Sequence, residues 1–173
     1  MSQLIFQPVE YSGDLAEIFN AVVRAFHPLI DDFTVLGEIK KESLPESVFG
    51  HSRTHVYGSK FLDYFPQQQG PLLVVTSLPL LNKYRLGVLG QGHQDSRKAI
   101  VSAYRDSSEE LYITAIHELG HVYGLTHEDH DRTYNGRRCP MRTFTSLREA
   151  NPDSVFCGFC YSKLGIPEPV GRV

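Results

Sequence analysis

An eleven-residue pattern, HExxHxxGxxH at residues 117–127, constrains the fold more than any other feature of this chain. On a helix, His117 and His121 leave the same face one turn apart, and Glu118 projects beside them. Gly124 can end that helix in the left-handed conformation, after which the chain can return His127 as a third imidazole. Three neutral imidazoles and one open position form the ligand set of a catalytic zinc, whose water has a pKa near 7. The pattern therefore predicts a zinc-binding helix.

The residues around the pattern support a helix. Ser107 followed by Glu110 matches a capping box, in which the two side chains satisfy free backbone N–H groups of the first turn. The small Gly120 indicates close approach by another element. Four residues form a second apolar stripe that would keep the helix buried: Leu111, Ala115, Leu119 and Val122. The alternative, a buried amphipathic helix with incidental histidines, requires five constrained positions in eleven residues to match by chance.

The extended motif resembles that of the metzincin zinc metallopeptidases, whose signature also includes a methionine turn. Residues 139–141, Cys-Pro-Met, match that turn, and the CxxC pair Cys157 and Cys160 makes the chain similar to the archaemetzincins in particular. The resemblance is clear over residues 107–163. In that family four cysteines hold a second, structural zinc, so the resemblance implies this role for Cys139, Cys157 and Cys160. It also implies that Met141 packs beneath the histidines and supports the site.

The chain departs from the family pattern at one position. Glu128 stands where the family has a cysteine after the third histidine, and the chain contains three cysteines in all. Structural zinc sites are usually closed by a fourth cysteine or histidine. His130 is the nearest histidine not used in the motif, and it is the favoured fourth ligand. A carboxylate oxygen of Glu128 and the absence of a second metal are the alternatives.

Apolar periodicity predicts a βαβ unit at the start of the chain. A strand at 3–9 precedes a helix that begins at the N-cap Asp14 and stops at Pro28, and a strand at 33–39 follows. Strand, helix and strand in this order imply parallel pairing. The further predicted elements are a helix at 53–65, a central strand at 72–77, a glycine-rich edge strand at 86–92, a strand at 98–105 and a helix at 157–164.

The resemblance implies an α+β fold: a minimal, metzincin-like single domain with a twisted, mostly parallel sheet, an antiparallel edge strand, flanking helices and the zinc-binding helix. Residues 1–124 would form an upper subdomain, and 125–173 a lower one with the structural zinc. In metzincins the edge strand pairs with an extended substrate, so 86–92 is expected to form the rim of the cleft. A dinucleotide loop is the rival interpretation of GVLGQG, but no helix or acidic ribose partner follows it.

Composition narrows the remaining classes. A chain of 173 residues suits one domain, and a net charge of −3 without a basic run gives no reason to expect nucleic acid. No apolar run reaches the length of a membrane span, and the polar start does not resemble a signal peptide, so we expect a cytoplasmic monomer that does not bind membranes. Three cysteines, two of them in CxxC, indicate thiolates kept reduced for metal.

The chemistry expected from the motif is peptide hydrolysis. Glu118 does not ligate the metal in this pattern, and from its position it can take a proton from the attacking water and pass it to the leaving amine. The substrate would be a peptide or protein, cleaved by an endopeptidase or aminopeptidase. A peptide-binding scaffold with little turnover and a hydrolase of non-peptide amides are the alternatives. Three side chains are candidates for oxyanion stabilisation: Tyr123, Tyr134 and Arg142.

Overall fold

The fold is taken from a computed structural model that describes residues 2–50, 53–104, 108–127, 133–134, 137–142 and 156–167. In chain order the helices and strands are β1 (Ser2–Val9), α1 (Leu15–Phe26), β2 (Ile30–Val35), β3 (Val56–Tyr57), α2 (Gly58–Tyr64), β4 (Leu72–Thr76), β5 (Leu80–Leu81), β6 (Gly87–Val88), β7 (Gly90–His93), β8 (Lys98–Ser102), α3 (Ser108–Val122), β9 (Thr133–Tyr134), β10 (Arg137–Arg138) and α4 (Gly158–Leu164). Two short 3-10 helices, Lys41–Ser43 and Glu46–Val48, follow β2.

A five-stranded sheet in the order β2-β1-β4-β8-β7 forms the centre of the molecule. The pairs β1/β2, β1/β4 and β4/β8 are parallel, whereas β7 runs antiparallel to β8. All five residues of β4 and of β8 are buried, as expected for strands covered on both faces. The predicted mixed sheet with an antiparallel edge strand is therefore confirmed.

Side chains on the two faces of the sheet form separate hydrophobic clusters. Leu73 and Val75 of β4 face α1 and α3, whereas Leu72 and Val74 face α2 and the 3-10 helices. The alternation follows from the two-residue period of a strand. Asp14 begins α1 as predicted, because its Oδ1 accepts a hydrogen bond from the Ala16 N–H at 2.7 Å. With α1 and α3 packed on one face, the helix predicted to bind zinc is fixed against the sheet.

Four predicted boundaries were wrong by more than one residue. β8 ends at Ser102, earlier than the predicted end at 105. β2 begins at Ile30 and ends at Val35, earlier than the predicted 33–39. The predicted helix at 53–65 is reduced to α2, because Arg53 has a φ of 50° and the β-branched Val56 pairs with Leu80 in a strand. The predicted edge strand at 86–92 is divided at Leu89 into β6, which pairs with β5, and β7, which pairs with β8.

None of the helices in the described residues combines the length and the apolar character that a membrane span requires.

Candidate active site

Three histidine rings converge at the end of α3. Their Nε2 atoms are 3.2 Å apart for His117 and His121, 3.0 Å for His121 and His127, and 3.0 Å for His127 and His117. Ligands of a tetrahedral zinc at the usual Zn–N distance are about 3.3 Å from each other. The three nitrogens therefore have nearly the spacing that one zinc ion requires, and together they form a candidate metal site.

The turn after α3 brings the third histidine back. The helix ends at Val122, and Gly124 has a φ of 83°, a conformation that side chains other than glycine rarely adopt. The Leu125 N–H then donates to the Gly120 carbonyl at 2.9 Å, which closes the turn. The predicted capping residue, Ser107, lies outside the described residues.

Backbone carbonyls orient the two helical histidines. Nδ1 of His117 lies 2.6 Å from the Pro140 carbonyl oxygen, and Nδ1 of His121 lies 2.9 Å from that of Leu125. Because a carbonyl can only accept, Nδ1 must be the donor in both rings, and in a neutral imidazole Nε2 then carries a lone pair. Lone pairs this close repel one another unless a cation lies between them. The donor set consequently fits a zinc ion.

The side chain of Glu118 extends from α3 towards the edge strand β7. It is only 8% exposed, and burial raises its pKa to about 8, while a hydrogen bond from the Gly92 N–H opposes the shift. A Cβ atom added to Gly90 would lie 2.5 Å from Cγ of Glu118 and 2.8 Å from its Oε1. A Cβ added to Gly92 would overlap the carbonyl oxygen of Glu118. Only glycine at these two positions lets β7 approach Glu118 so closely, at its side chain for Gly90 and at its backbone for Gly92.

Sequence reasoning placed Gly90 and Gly92 in an edge strand but did not connect them with Glu118. Glycines two residues apart lie on one face of a strand, which was the available signal that another backbone approaches that face. The partner could not be identified from the sequence, because Gly90 and Glu118 are about 28 residues apart in the chain. They meet only once β7 has paired with β8, the strand that precedes α3.

Residues 139–141 connect the histidines with the cysteines. The Pro140 carbonyl accepts from His117, and the fully buried Met141 lies against Gly120, where an added Cβ would overlap its Sδ. Met141 therefore packs against the helix that carries the histidines. Cys139, one residue earlier, belongs to the cysteine cluster.

The three cysteine side chains meet in the interior. Sγ of Cys160 lies 3.6 Å from that of Cys139 and 3.7 Å from that of Cys157, and all three residues are buried. Hydrogen bonding among the thiols, with burial, raises the pKa of Cys139 to about 11 and raises the pKa of Cys160. A metal ion would have to displace these protons. The proposed fourth ligands, His130 and Glu128, lie outside the described residues.

The oxyanion candidates are in different environments. The ring of Tyr123 packs against that of Phe26, with centroids 5.2 Å apart, so it contributes to the core. Arg142 directly follows Met141, and its backbone N–H donates to the Cys139 carbonyl at 3.0 Å. The side chain of Tyr134 is outside the described part of the chain.

Comparison with solved structures shows the same fold elsewhere. The structure of archaemetzincin from Archaeoglobus fulgidus complexed with malonate has a TM-score of 0.71 and 24% identity, covering 93% of this chain and 99% of that chain. A zinc-dependent peptidase from Methanocorpusculum labreanum has a TM-score of 0.66 and 18% identity, covering 92% and 99%. At these identities the likeness shows the fold.

Sequence comparison shows the family. No protein-family model matches the chain. The archaemetzincin of Methanopyrus kandleri is 30% identical over 158 residues, covering 83% of this chain and 86% of that protein. With that identity over most of both sequences, the chain belongs to the archaemetzincin family.

Proposed function

We propose that the protein is a zinc-dependent peptidase in which His117, His121 and His127 hold the zinc and Glu118 is the general base. The observation that carries this proposal is the convergence of three ring nitrogens beside a buried carboxylate. Zinc, when bound, supplies a Lewis acid that acidifies water and polarises a carbonyl. Membership of the archaemetzincin family supports a zinc metallopeptidase, and one structural neighbour is itself described as a zinc-dependent peptidase.

Glu118 is proposed to move protons. Its carboxylate takes a proton from the attacking water and delivers it to the leaving amine. A buried carboxylate is a stronger base than an exposed one, because burial disfavours its charged form. The hydrogen bond from Gly92 fixes the carboxylate while leaving further lone pairs for water.

The open edge of β7 is proposed to hold the substrate backbone. The Ser102 N–H donates to the Leu89 carbonyl at 2.8 Å, so residues 89 and 91 of this antiparallel pair direct their backbone groups towards β8. By alternation, Gly90 and Gly92 direct theirs away from β8, and since the Gly92 N–H already donates to Glu118, the N–H and carbonyl of Gly90 and the carbonyl of Gly92 remain for a substrate at the open edge. An extended peptide that adds to this edge would lie next to Glu118.

A second, structural zinc at Cys139, Cys157 and Cys160 belongs to the same proposal, with His130 as its fourth ligand. Three buried thiols within metal-binding distance of one another support it. A single catalytic domain, with an upper subdomain at 1–124 and a lower one at 125–173, would place this zinc beneath the active site.

The experiment combines metal analysis with digestion of a mixed peptide library. Glu118→Gln should retain the active-site zinc and lose turnover by about 10²- to 10⁴-fold, the usual contribution of a general base. His121→Ala should lose the zinc as well. Glu110→Gln, on the same helix about two turns earlier, is the matched control and should behave as wild type.

The products also separate the alternatives. Specific cleavage supports a peptidase, and its position distinguishes an endopeptidase from an aminopeptidase. Retention of peptides without cleavage supports a scaffold. If the peptides are neither cleaved nor retained, the result favours a hydrolase of non-peptide amides. Wild-type turnover in Glu118→Gln would remove Glu118 from the mechanism.

A further inference from the structure

Exposed apolar side chains are concentrated immediately before the edge strand. Seven large hydrophobic residues are exposed in the described part of the chain, and three of them lie within six positions: Tyr84 is 70% exposed, Leu86 62% and Leu89 39%. We call residues 83–89 the basic projection. Single exposed apolar residues are ordinary, whereas a group of them marks a surface that contacts another molecule.

The basic projection differs in charge from the rest of the chain. Residues 64–94 contain Lys83 and Arg85 and no Asp or Glu, whereas the whole chain has a net charge of −3. Nζ of Lys83 lies 5.0 Å from the centroid of the Tyr84 ring. Neither cation forms a salt bridge with any residue that the structure describes. The surface therefore combines apolar side chains with positive charge that carboxylates of a partner could neutralise.

Hydrogen bonds hold the turn of the basic projection in place. Oδ1 of Asn82 accepts from the N–H groups of Tyr84 at 2.9 Å and Leu86 at 3.1 Å. The Asn82 N–H also donates to the Leu86 carbonyl at 2.9 Å. A turn ordered in this way presents its side chains without a large loss of entropy on binding.

The basic projection is continuous with the proposed active site. Leu89 directly precedes Gly90, whose added Cβ would lie 2.8 Å from Oε1 of Glu118. Even a fully extended chain would place the Leu86 Cα no more than about 14 Å from that of Gly90. A peptide lying along the open edge of β7 would therefore reach the projection about four residues from the bond beside Glu118.

We propose that the basic projection binds a segment of the peptide substrate about four to six residues from the cleaved bond, in which an aromatic or aliphatic side chain stands beside Asp or Glu. The inference rests on the proposed function, because it names the substrate of that site. The apolar part of the segment packs against Tyr84 and Leu86, and its carboxylate pairs with Lys83 or Arg85.

The test uses two peptides that share one cleaved core. One carries an Asp-Phe-Glu-Leu extension on the side that faces the projection, and the other a Ser-Gly extension of equal length; both extensions are tried at each end of the core. The acidic, apolar peptide should show a KM about tenfold lower with kcat within about twofold, since one apolar contact and a screened ion pair contribute about that much.

Variants of the basic projection should remove this preference. The double variant Tyr84→Ser with Leu86→Ser changes exposed side chains only, so it should fold and keep kcat while losing most of the KM difference. Lys83→Glu with Arg85→Glu should transfer the preference to a Lys-Phe-Arg-Leu extension. Val35→Ser, which changes an exposed apolar residue on β2 at the other edge of the sheet, is the control.

Binding measured without turnover separates this inference from the proposed function. Fluorescein-labelled extended peptide should bind Glu118→Gln protein more tightly than the Ser-Gly peptide, by fluorescence anisotropy, even if no peptide is cleaved. Equal KM values and equal anisotropy for both peptides would overturn the inference and leave the peptidase intact. The protein could instead sediment with phosphatidylserine vesicles, lose this binding in the variants of the basic projection, and not discriminate between the peptides. That result would overturn the inference in favour of a membrane surface.

Discussion

A methyl group added at Gly90 should disable Glu118 and spare the zinc. The added Cβ of Gly90→Ala would lie 2.5 Å from Cγ of Glu118 and 2.9 Å from Cγ2 of Thr114. Ordinary contacts between carbon atoms begin near 3.5 Å, so the carboxylate side chain must move by roughly 1 Å. A displacement of that size from the reacting geometry costs on the order of 10²-fold in rate. We therefore expect kcat to fall about 100-fold.

Stability and metal binding should change much less. Overpacking costs about 1–3 kcal/mol, and replacing a glycine within a strand recovers roughly 0.5–1 kcal/mol. Gly90→Ala should thus unfold in urea at slightly lower concentrations and bind zinc within about threefold of wild type. Gly37→Ala is the control, because nothing lies within 4 Å of its added Cβ and it lies outside both the site and the basic projection. Gly92→Ala is the contrast, since its Cβ would overlap the backbone of α3 and should weaken zinc binding as well.

The assays are zinc titration, urea unfolding and peptide hydrolysis on the same preparations. In Glu118→Gln protein, Gly90→Ala should cause no further loss of residual activity, because both changes act through one carboxylate. Independent, multiplicative losses would refute this reasoning. So would wild-type kcat in Gly90→Ala, or a loss of zinc as large as the loss of kcat.

Two further predictions concern protonation and the second metal. In metal-stripped protein the proton on the Glu118 carboxyl group stabilises the fold, because burial raises the pKa of this group. The contribution is complete below the ordinary pKa of 4.5 and is lost as the pH rises towards about 8. The free energy of unfolding of Glu118→Gln, measured with urea, should therefore increase relative to wild type by on the order of 3 to 5 kcal/mol between about pH 5 and pH 8, at roughly 1.4 kcal/mol per pKa unit. A difference between the two proteins that does not change with pH would contradict the raised pKa. Zinc counting should find two ions in wild type and weaker retention of one in His130→Ala but not in Glu128→Ala, and unchanged retention in the His130 variant would exclude that histidine.

The sequence was most informative where one segment determines its own geometry. The i, i+4 spacing of His117 and His121 and the glycine at 124 depend only on helix and turn stereochemistry, so both could be placed before the fold was known. The buried strand at 72–77 was equally clear, because a continuous apolar run needs cover on both faces. The histidine spacing located the helix that carries the site, and the apolar run located the centre of the sheet.

Tertiary contacts decided what the sequence could not. Residues 53–57 have helical periodicity with those that follow, yet the backbone at Arg53 is left-handed and Val56 joins a strand. The run at 86–92 reads as one strand, but its two halves pair with different partners on either side of Leu89. Neither choice is encoded locally, since each depends on which neighbouring strand is available.

The two proposed metal sites are joined by residues 139–141, and this predicts that their affinities are coupled. Cys139 lies in the cysteine cluster, while the next residue gives its carbonyl to Nδ1 of His117 at 2.6 Å. A metal at the cysteines restrains Cys139 and thereby the carbonyl that orients His117, and such orienting partners typically change metal affinity by about 10- to 100-fold. Cys160→Ser should therefore weaken zinc binding at the histidines although Cys160 belongs to the cysteine cluster. By linkage, His121→Ala should weaken retention at the cysteines by the same factor. Competitive titration with a chromophoric chelator measures both, and independent affinities would show that residues 139–141 transmit nothing between the sites.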